Sequence, residues 1–149
     1  MSNACKPIRV GVTGTRYGIS EQQYLLAQGW LDKPFWGRNY EMIEFHHGDC
    51  VGADIQLATM VRASHPNCKI ICHPPTKEDL RGFFESDETL PAKSYFARNR
   101  DIVDSCDMLI AFPIHEDRNK GGTWYTINYA HKKKRKCGIF FYDGHREMI

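Results

Sequence analysis

Along this chain, short β-branched runs alternate with stretches whose apolar residues recur every three or four positions. Ile8-Arg9-Val10-Gly11-Val12 alternates as a half-buried strand does, and it runs into the turn residues Thr13-Gly14-Thr15-Arg16-Tyr17-Gly18. Ser20 followed by Gln23 predicts a capping box, with a helix continuing through Leu25, Leu26 and Ala27 and fading before Pro34. Residues 31–40, with Trp36, Gly37 and Asn39, show no periodicity and read as a loop presenting aromatic surface. A second strand spans about Tyr40 to His46, followed by the loop His47-Gly48-Asp49-Cys50-Val51-Gly52-Ala53-Asp54 and a helix carrying Ile55, Ala58, Val61 and Arg62.

The same alternation continues. Lys69-Ile70-Ile71-Cys72-His73 reads as a buried strand stopped by Pro74-Pro75. The stretch from Thr76 to Lys93 is long for a structureless connection and reads as a lid or as the host of a short helix. Ser94 caps a helix through Phe96, Ile102 and Val103, and Met108-Leu109-Ile110-Ala111-Phe112 is the most apolar strand and belongs at the sheet centre. After a polar loop comes Gly121-Gly122-Thr123, with Thr123 as N-cap of a helix carrying Ile127 and Ala130, and a last strand covers Cys137 to Tyr142. Strands alternating with helices predict an α/β class: one Rossmann-like three-layer domain, residues 1–149, with a mainly parallel sheet of about five strands and helices on both faces.

Composition changes this picture little. With 149 residues, 42% hydrophobic and 26% charged, the chain fits a single globular domain, and no apolar run approaches the ~20 residues of a bilayer-spanning helix. The start of the chain carries no secretory signal pattern, which predicts a cytoplasmic location. Six scattered cysteines form no CxxC pair and read as reduced thiols. A net charge of +2 gives no strong overall field, so any anion site must be local.

In an open parallel sheet, ligands bind beyond the C-terminal strand ends where strand order reverses, because helix N-termini converge there. All three glycine loops belong to that edge. Glycine lets a backbone approach a phosphate, and the following helix favours the anion. The first loop is no full GxGxxG, and the chain has no GKS or GKT of a P-loop.

Taken in order, Val10-Gly11-Val12-Thr13-Gly14-Thr15-Arg16, the loop from His47 to Asp54, Arg98-Asn99 before the run from Ser105 to Phe112, and Gly121-Gly122-Thr123 resemble the SLOG superfamily over residues 8–142. The nearest group is the YspA-like or YpsA-related proteins; relatives include the LOG phosphoribohydrolases that release cytokinin bases and the DNA-processing protein A family. The resemblance implies that Gly14, Thr15 and Arg16 contact a phosphate or sugar. It also implies that Gly48 and Gly52 let the second loop approach, while Asp54 fixes that loop or binds a ribose hydroxyl. Arg98, beside Asn99, falls where the LOG enzymes carry an arginine near the reacting sugar, and Gly121-Gly122-Thr123 matches the end of their PGGxGTxxE signature. An insertion separates Pro113 from Gly121, and Thr126 stands at the signature glutamate, where it cannot serve as a carboxylate acid or base. Dimerisation is a further implication of the superfamily.

The sequence therefore points to a protein that binds a nucleotide, a nucleotide-sugar or another nucleotide-derived molecule as sensor, sequestering module or carrier, without a further cofactor. The candidate ligand-binding residues are Gly14, Thr15, Arg16, Gly48, Asp49, Gly52, Asp54, Arg98, Asn99, Gly121, Gly122 and Thr123. One rival is an N-glycosidase acting on nucleoside monophosphates with Arg98 in its site; another is a single-strand DNA-binding module using Lys132-Lys133-Lys134-Arg135-Lys136. That basic run also suits a solvated helix end, and Asp49 and Asp54 suit helix capping. His46, His47, Asp49, Cys50 and His73 do not read as a metal cluster, because adjacent strand residues face opposite ways. Trp124 and Tyr125 read either as packing residues or as a base-stacking pair.

Overall fold

The computed structural model describes residues 5–33 and 39–149; of the loop reading for residues 31–40, positions 34–38 lie outside them, Trp36 and Gly37 included, while Leu31 and Asp32 are helical and Tyr40 begins a strand. The chain runs β1 (Lys6–Gly14), α1 (Glu21–Asp32), β2 (Tyr40–His47), α2 (Ala53–Ser64), β3 (Lys69–Cys72), β4 (Glu88–Thr89), α3 (Tyr95–Ser105), β5 (Met108–Phe112), α4 (Gly121–Lys132), β6 (Lys136–Phe140) and β7 (Arg146–Met148). The sheet order is β4-β3-β2-β1-β5-β6-β7, parallel throughout except for antiparallel β7. Five strands form the parallel body that the alternation predicts. The two short edge strands escape prediction because two or three residues carry no periodic signal, and the segment 76–93 holds β4 and turns in place of a helix.

Alternation along the strands divides the interior into two layers. Val10, Val12, Phe45, Ile70, Ile110 and Phe112 face α1 and α2, where Ala27, Trp30, Leu57 and Val61 meet them. Leu109, Ala111, Cys137 and Ile139 face α3 and α4, meeting Ile102, Val103, Trp124 and Ile127. Strand β5 contributes to both layers and every one of its residues is buried, as its unbroken apolar run requires.

Ser20 closes a full capping box with Gln23 at the start of α1. The Gln23 side chain is itself fully buried, and its Nε2 also donates to Pro113 O (2.9 Å) and Phe140 O (2.8 Å). One amide thus ties the ends of β5 and β6 to α1. Helix α4 starts earlier than its sequence suggests: Lys120 is the N-cap and Thr123 lies within the first turn. With three consecutive small or polar residues there, propensity alone does not fix the boundary.

Phe45 is fully buried at the centre of the α1/α2 layer. Phe45→Ala is expected to cost about 3–5 kcal/mol, read as a lowered urea midpoint at unchanged slope. A loss under ~1 kcal/mol would contradict the packing described.

Candidate functional site

The β1–α1 loop, the β2–α2 loop, the strap of residues 73–93 and the start of α3 meet beyond the C-terminal ends of β1, β2 and β3. The first two loops are sewn together by backbone. Thr15 N donates to Phe112 O (3.0 Å) and Thr15 O accepts from Ala53 N (2.9 Å), while Tyr17 N donates to Thr15 Oγ1 (3.1 Å). Gly52, at φ +96°, adopts a conformation reserved for glycine, and a methyl group there would overlap Thr15 O and the Arg16 backbone. Gly14 is packed against Ala53 and Phe112.

The second loop folds around carboxylates. Buried Asp54 accepts from Gly48 N (3.0 Å) and Cys50 N (3.3 Å). Burial pushes its carboxyl up to about 6, against the pull of nearby Arg98 and of those two amides. Asp49, fully buried with φ +58°, holds Arg81 Nε (2.8 Å) and Phe84 N (2.8 Å), so it anchors the strap. His47 Nδ1 accepts from Asp49 N (2.9 Å) and Nε2 meets Ser86 Oγ (2.9 Å); burial pushes this imidazole down to about 4. His47, Asp49 and Cys72 lie close enough to hold a metal ion, but the nitrogens of His47 and the oxygens of Asp49 are already engaged. His46 points to the other face, where it meets His73, as strand alternation demands.

Arg98 is buried and donates to Gly48 O, to His73 O (3.2 Å) and to Asn99 Oδ1 (2.7 Å), and its guanidinium lies 5.0 Å from the centre of the Tyr95 ring. It clasps the second loop to β3. One contact brings the third glycine loop here: a methyl on Gly122 would overlap the Tyr95 hydroxyl.

These elements enclose a cleft of about 600 Å³ lined by Arg16, Cys50, Pro75, Thr76, Lys77, Asp79, Leu80, Ser94 and Tyr95. That volume suits a small ligand. Arg16 reaches over it, donating to Tyr17 Oη (2.8 Å); among the described residues no carboxylate pairs with it. Cys50 is held as a thiol, burial and Asp54 pushing it up to about 11. The aromatic rings of Tyr17 and Tyr95 are both exposed at the rim.

The turns near residues 14 and 50 meet, while Gly122 of the third reaches the Tyr95 ring. The use of their amides differs. Those of Thr15, Gly48, Asp49, Cys50, Val51 and Ala53 donate to protein acceptors, so these two loops do not jointly present an amide nest. Of the twelve candidate residues, Arg16 lines the cleft. Gly14, Thr15, Gly48, Asp49, Gly52, Asp54, Arg98 and Asn99 build the scaffold behind it, and Gly121, Gly122 and Thr123 begin the helix abutting Tyr95. Sequence reasoning missed Tyr95, whose signal is its place three residues before Arg98 on one helix, and Thr76 and Lys77, whose signal is the Pro74-Pro75 break. Trp124 is buried against Phe141 and donates to His115 O (2.7 Å), which makes it a packing residue. The basic run follows α4 at the opposite edge of the sheet, where Arg135 Nε donates to Cys106 O (3.1 Å).

No family model matches the chain, and no curated protein matches it. Solved structures share its fold, two of them as follows. One is the molybdenum cofactor binding protein from the phototrophic bacterium Rippkaea orientalis, 19% identical with a TM-score of 0.62, matching 91% of this chain and 77% of that one. The other is TM1055, a structural-genomics target, 13% identical with a TM-score of 0.58, matching 87% and 72%. At these identities the likeness is one of fold: an α/β domain with a mostly parallel sheet between helical layers. No described helix is long and apolar enough to cross a membrane.

Burial of the histidines and of Asp54 sets a pH profile. His47 is held near 4 and His73 near 3, below the ordinary 6.5, so the unfolded chain binds their protons first and stability rises with pH up to about 6.5. Asp54 opposes this: raised from 3.8 to about 6, it binds a proton in the folded state first, and its contribution falls as pH rises across that interval. Urea denaturation from pH 4 to 7 should show a net rise, and Asp54→Asn should steepen it between pH 4 and 6. A flatter profile in the variant would contradict the assignment.

Proposed function

We propose that the cleft binds a nucleotide or a nucleotide-derived small molecule, with Arg16 taking the phosphate and Tyr95 offering its ring to the base. The observation that carries this reading is Arg16 itself, a cation held over a ligand-sized cleft with no carboxylate partner among the described residues. A guanidinium suits phosphate by its planar donor geometry, and an exposed tyrosine ring suits an aromatic base. Lys77 adds a second cation to the same wall.

Binding without chemistry fits the site better than glycoside hydrolysis. Thr126, at the position of the LOG glutamate, is buried and its hydroxyl donates to Gly122 O (2.8 Å). Arg98 is committed to backbone carbonyls, and Asp79 is the one carboxylate among the residues lining the cleft. A solved neighbour of this fold described as a cofactor-binding protein supports a carrier, sensor or sequestering role. The separation of the basic run from the cleft speaks against a continuous nucleic-acid groove.

Thermal shift with AMP, ADP-ribose, NAD-derived cyclic nucleotides and molybdenum cofactor tests the proposal. A member at one hundred times its Kd should stabilise by about 2.7 kcal/mol, or about 5–10 °C for a domain this size. Arg16→Ala should weaken that ligand about tenfold or more at unchanged stability. No shift with any of them would overturn the reading, and free base appearing on chromatography would replace it with hydrolysis.

A further inference from the structure

Strand β2 and the residue that follows β3 carry a polar chain that the cleft does not use. Glu44 Oε1 lies 2.9 Å from His46 Nε2, and His46 Nδ1 lies 2.8 Å from His73 Nε2. Both imidazoles are 4% exposed, and their ring centres stand 5.1 Å apart. Burial lowers the proton affinity of both, so the pair is neutral at pH 7.

Neutrality fixes every proton in this chain. An ionised carboxylate only accepts, so His46 must carry its proton on Nε2. His46 Nδ1 is then bare and must accept from His73 Nε2–H. His73 Nδ1 is left bare in turn, and among the described residues nothing donates to it. His73 lines a separate cavity of about 190 Å³ together with Leu90, Pro91, Lys93, Arg98 and Asp101; Lys93 in this wall pairs by backbone with Pro75 of the larger cleft. Lys93 and Asp101 form an ion pair at its wall, and Arg98, its other cation, is held beside buried Asp54 with Nε and Nη1 already donating.

We infer that this cavity is a second site, for a small oxyanion that still carries a proton: the ammonium hydrogens of Lys93 that Asp101 does not take and the Nη2 of Arg98, which its clasp leaves unused, donate to the ligand's oxygens, and His73 Nδ1, locked as an acceptor by the Glu44–His46 chain, receives the ligand's O–H. An obligate acceptor discriminates by chemistry and not by charge. At pH 7 phosphate retains a proton and satisfies it, whereas sulfate has none to give and sets an anionic oxygen against a lone pair. The volume is ample for a free tetrahedral oxyanion, and the site shares no lining residue with the cleft.

The test is ¹⁵N histidine NMR on the full chain titrated with inorganic phosphate and, at equal ionic strength, with sulfate, the His73 ring signals being assigned by their absence in His73→Gln. Expected are an unprotonated His73 Nδ1 in the free protein, a saturable shift of that nitrogen with phosphate, and a sulfate response that needs about tenfold more anion, the worth of one hydrogen bond to an ion. Glu44→Gln, at a half-buried position, permits the opposite tautomer and should erode the preference, while Arg16→Ala should leave it intact. A protonated Nδ1 in the free protein, equal responses to both anions, or loss of the preference in Arg16→Ala would overturn the inference.

Discussion

Asp54 gathers the amides of Gly48 and Cys50 onto one buried carboxylate, while Arg98 donates to the Gly48 carbonyl from the other side. This knot sets the shape of the β2–α2 loop and hence the floor of the cleft. Its members sit within a low-dielectric interior, where an unpaired polar group costs far more than a paired one gains. Asp54 needs the two amides, the amides need Asp54, and Arg98 holds its place by donating to carbonyls of both β2 and β3 ends. The glycines follow from the same constraint: Gly48 has no side chain because Arg98 lies against it, and Gly52 has none because the β1–α1 loop does.

That arrangement decides how an anion can be recognised. Glycine loops suit phosphates because free amides converge on the ligand. Here the second loop's amides are consumed internally, and Gln23 occupies the ends of β5 and β6 next to the point where strand order reverses. The open space therefore lies beside β1, β2 and β3, and recognition falls to side chains on its rim, Arg16 and Tyr95 foremost. The strap of residues 73–93 forms the far wall and is no loose lid: Asp49 holds it at Arg81 and Phe84, and His47 holds it at Ser86.

Much of this was legible in the sequence. The β-branched runs at residues 8–12 and 108–112 and the Ser20/Gln23 capping box declare the parallel sheet and its first helix, because those signals are local and periodic. The contact between the first two glycine loops also follows from order alone. The partition of the candidates does not, because whether an aspartate caps a loop or faces a ligand depends on contacts distant in sequence. Asp49 and Asp54 stand five residues apart and hold different segments, the strap and their own loop. Arg98 looks like a ligand contact in the motif and serves the fold as a clasp that the motif does not reveal, since its acceptors lie 50 and 25 positions away. Tyr95 carries no motif at all; its role emerges only when Gly122 and Arg98 are seen against its ring.

A crystal structure of the protein with ADP-ribose or AMP tests the central claim most directly, namely that side chains at the rim, and not the amides of the second loop, receive the anion. The account predicts a phosphate on the Arg16 guanidinium, with the Asp54 bonds to Gly48 and Cys50 unchanged. A phosphate seated on those two amides with Asp54 displaced, or ligand density at the ends of β5 and β6 in place of Gln23, would contradict it.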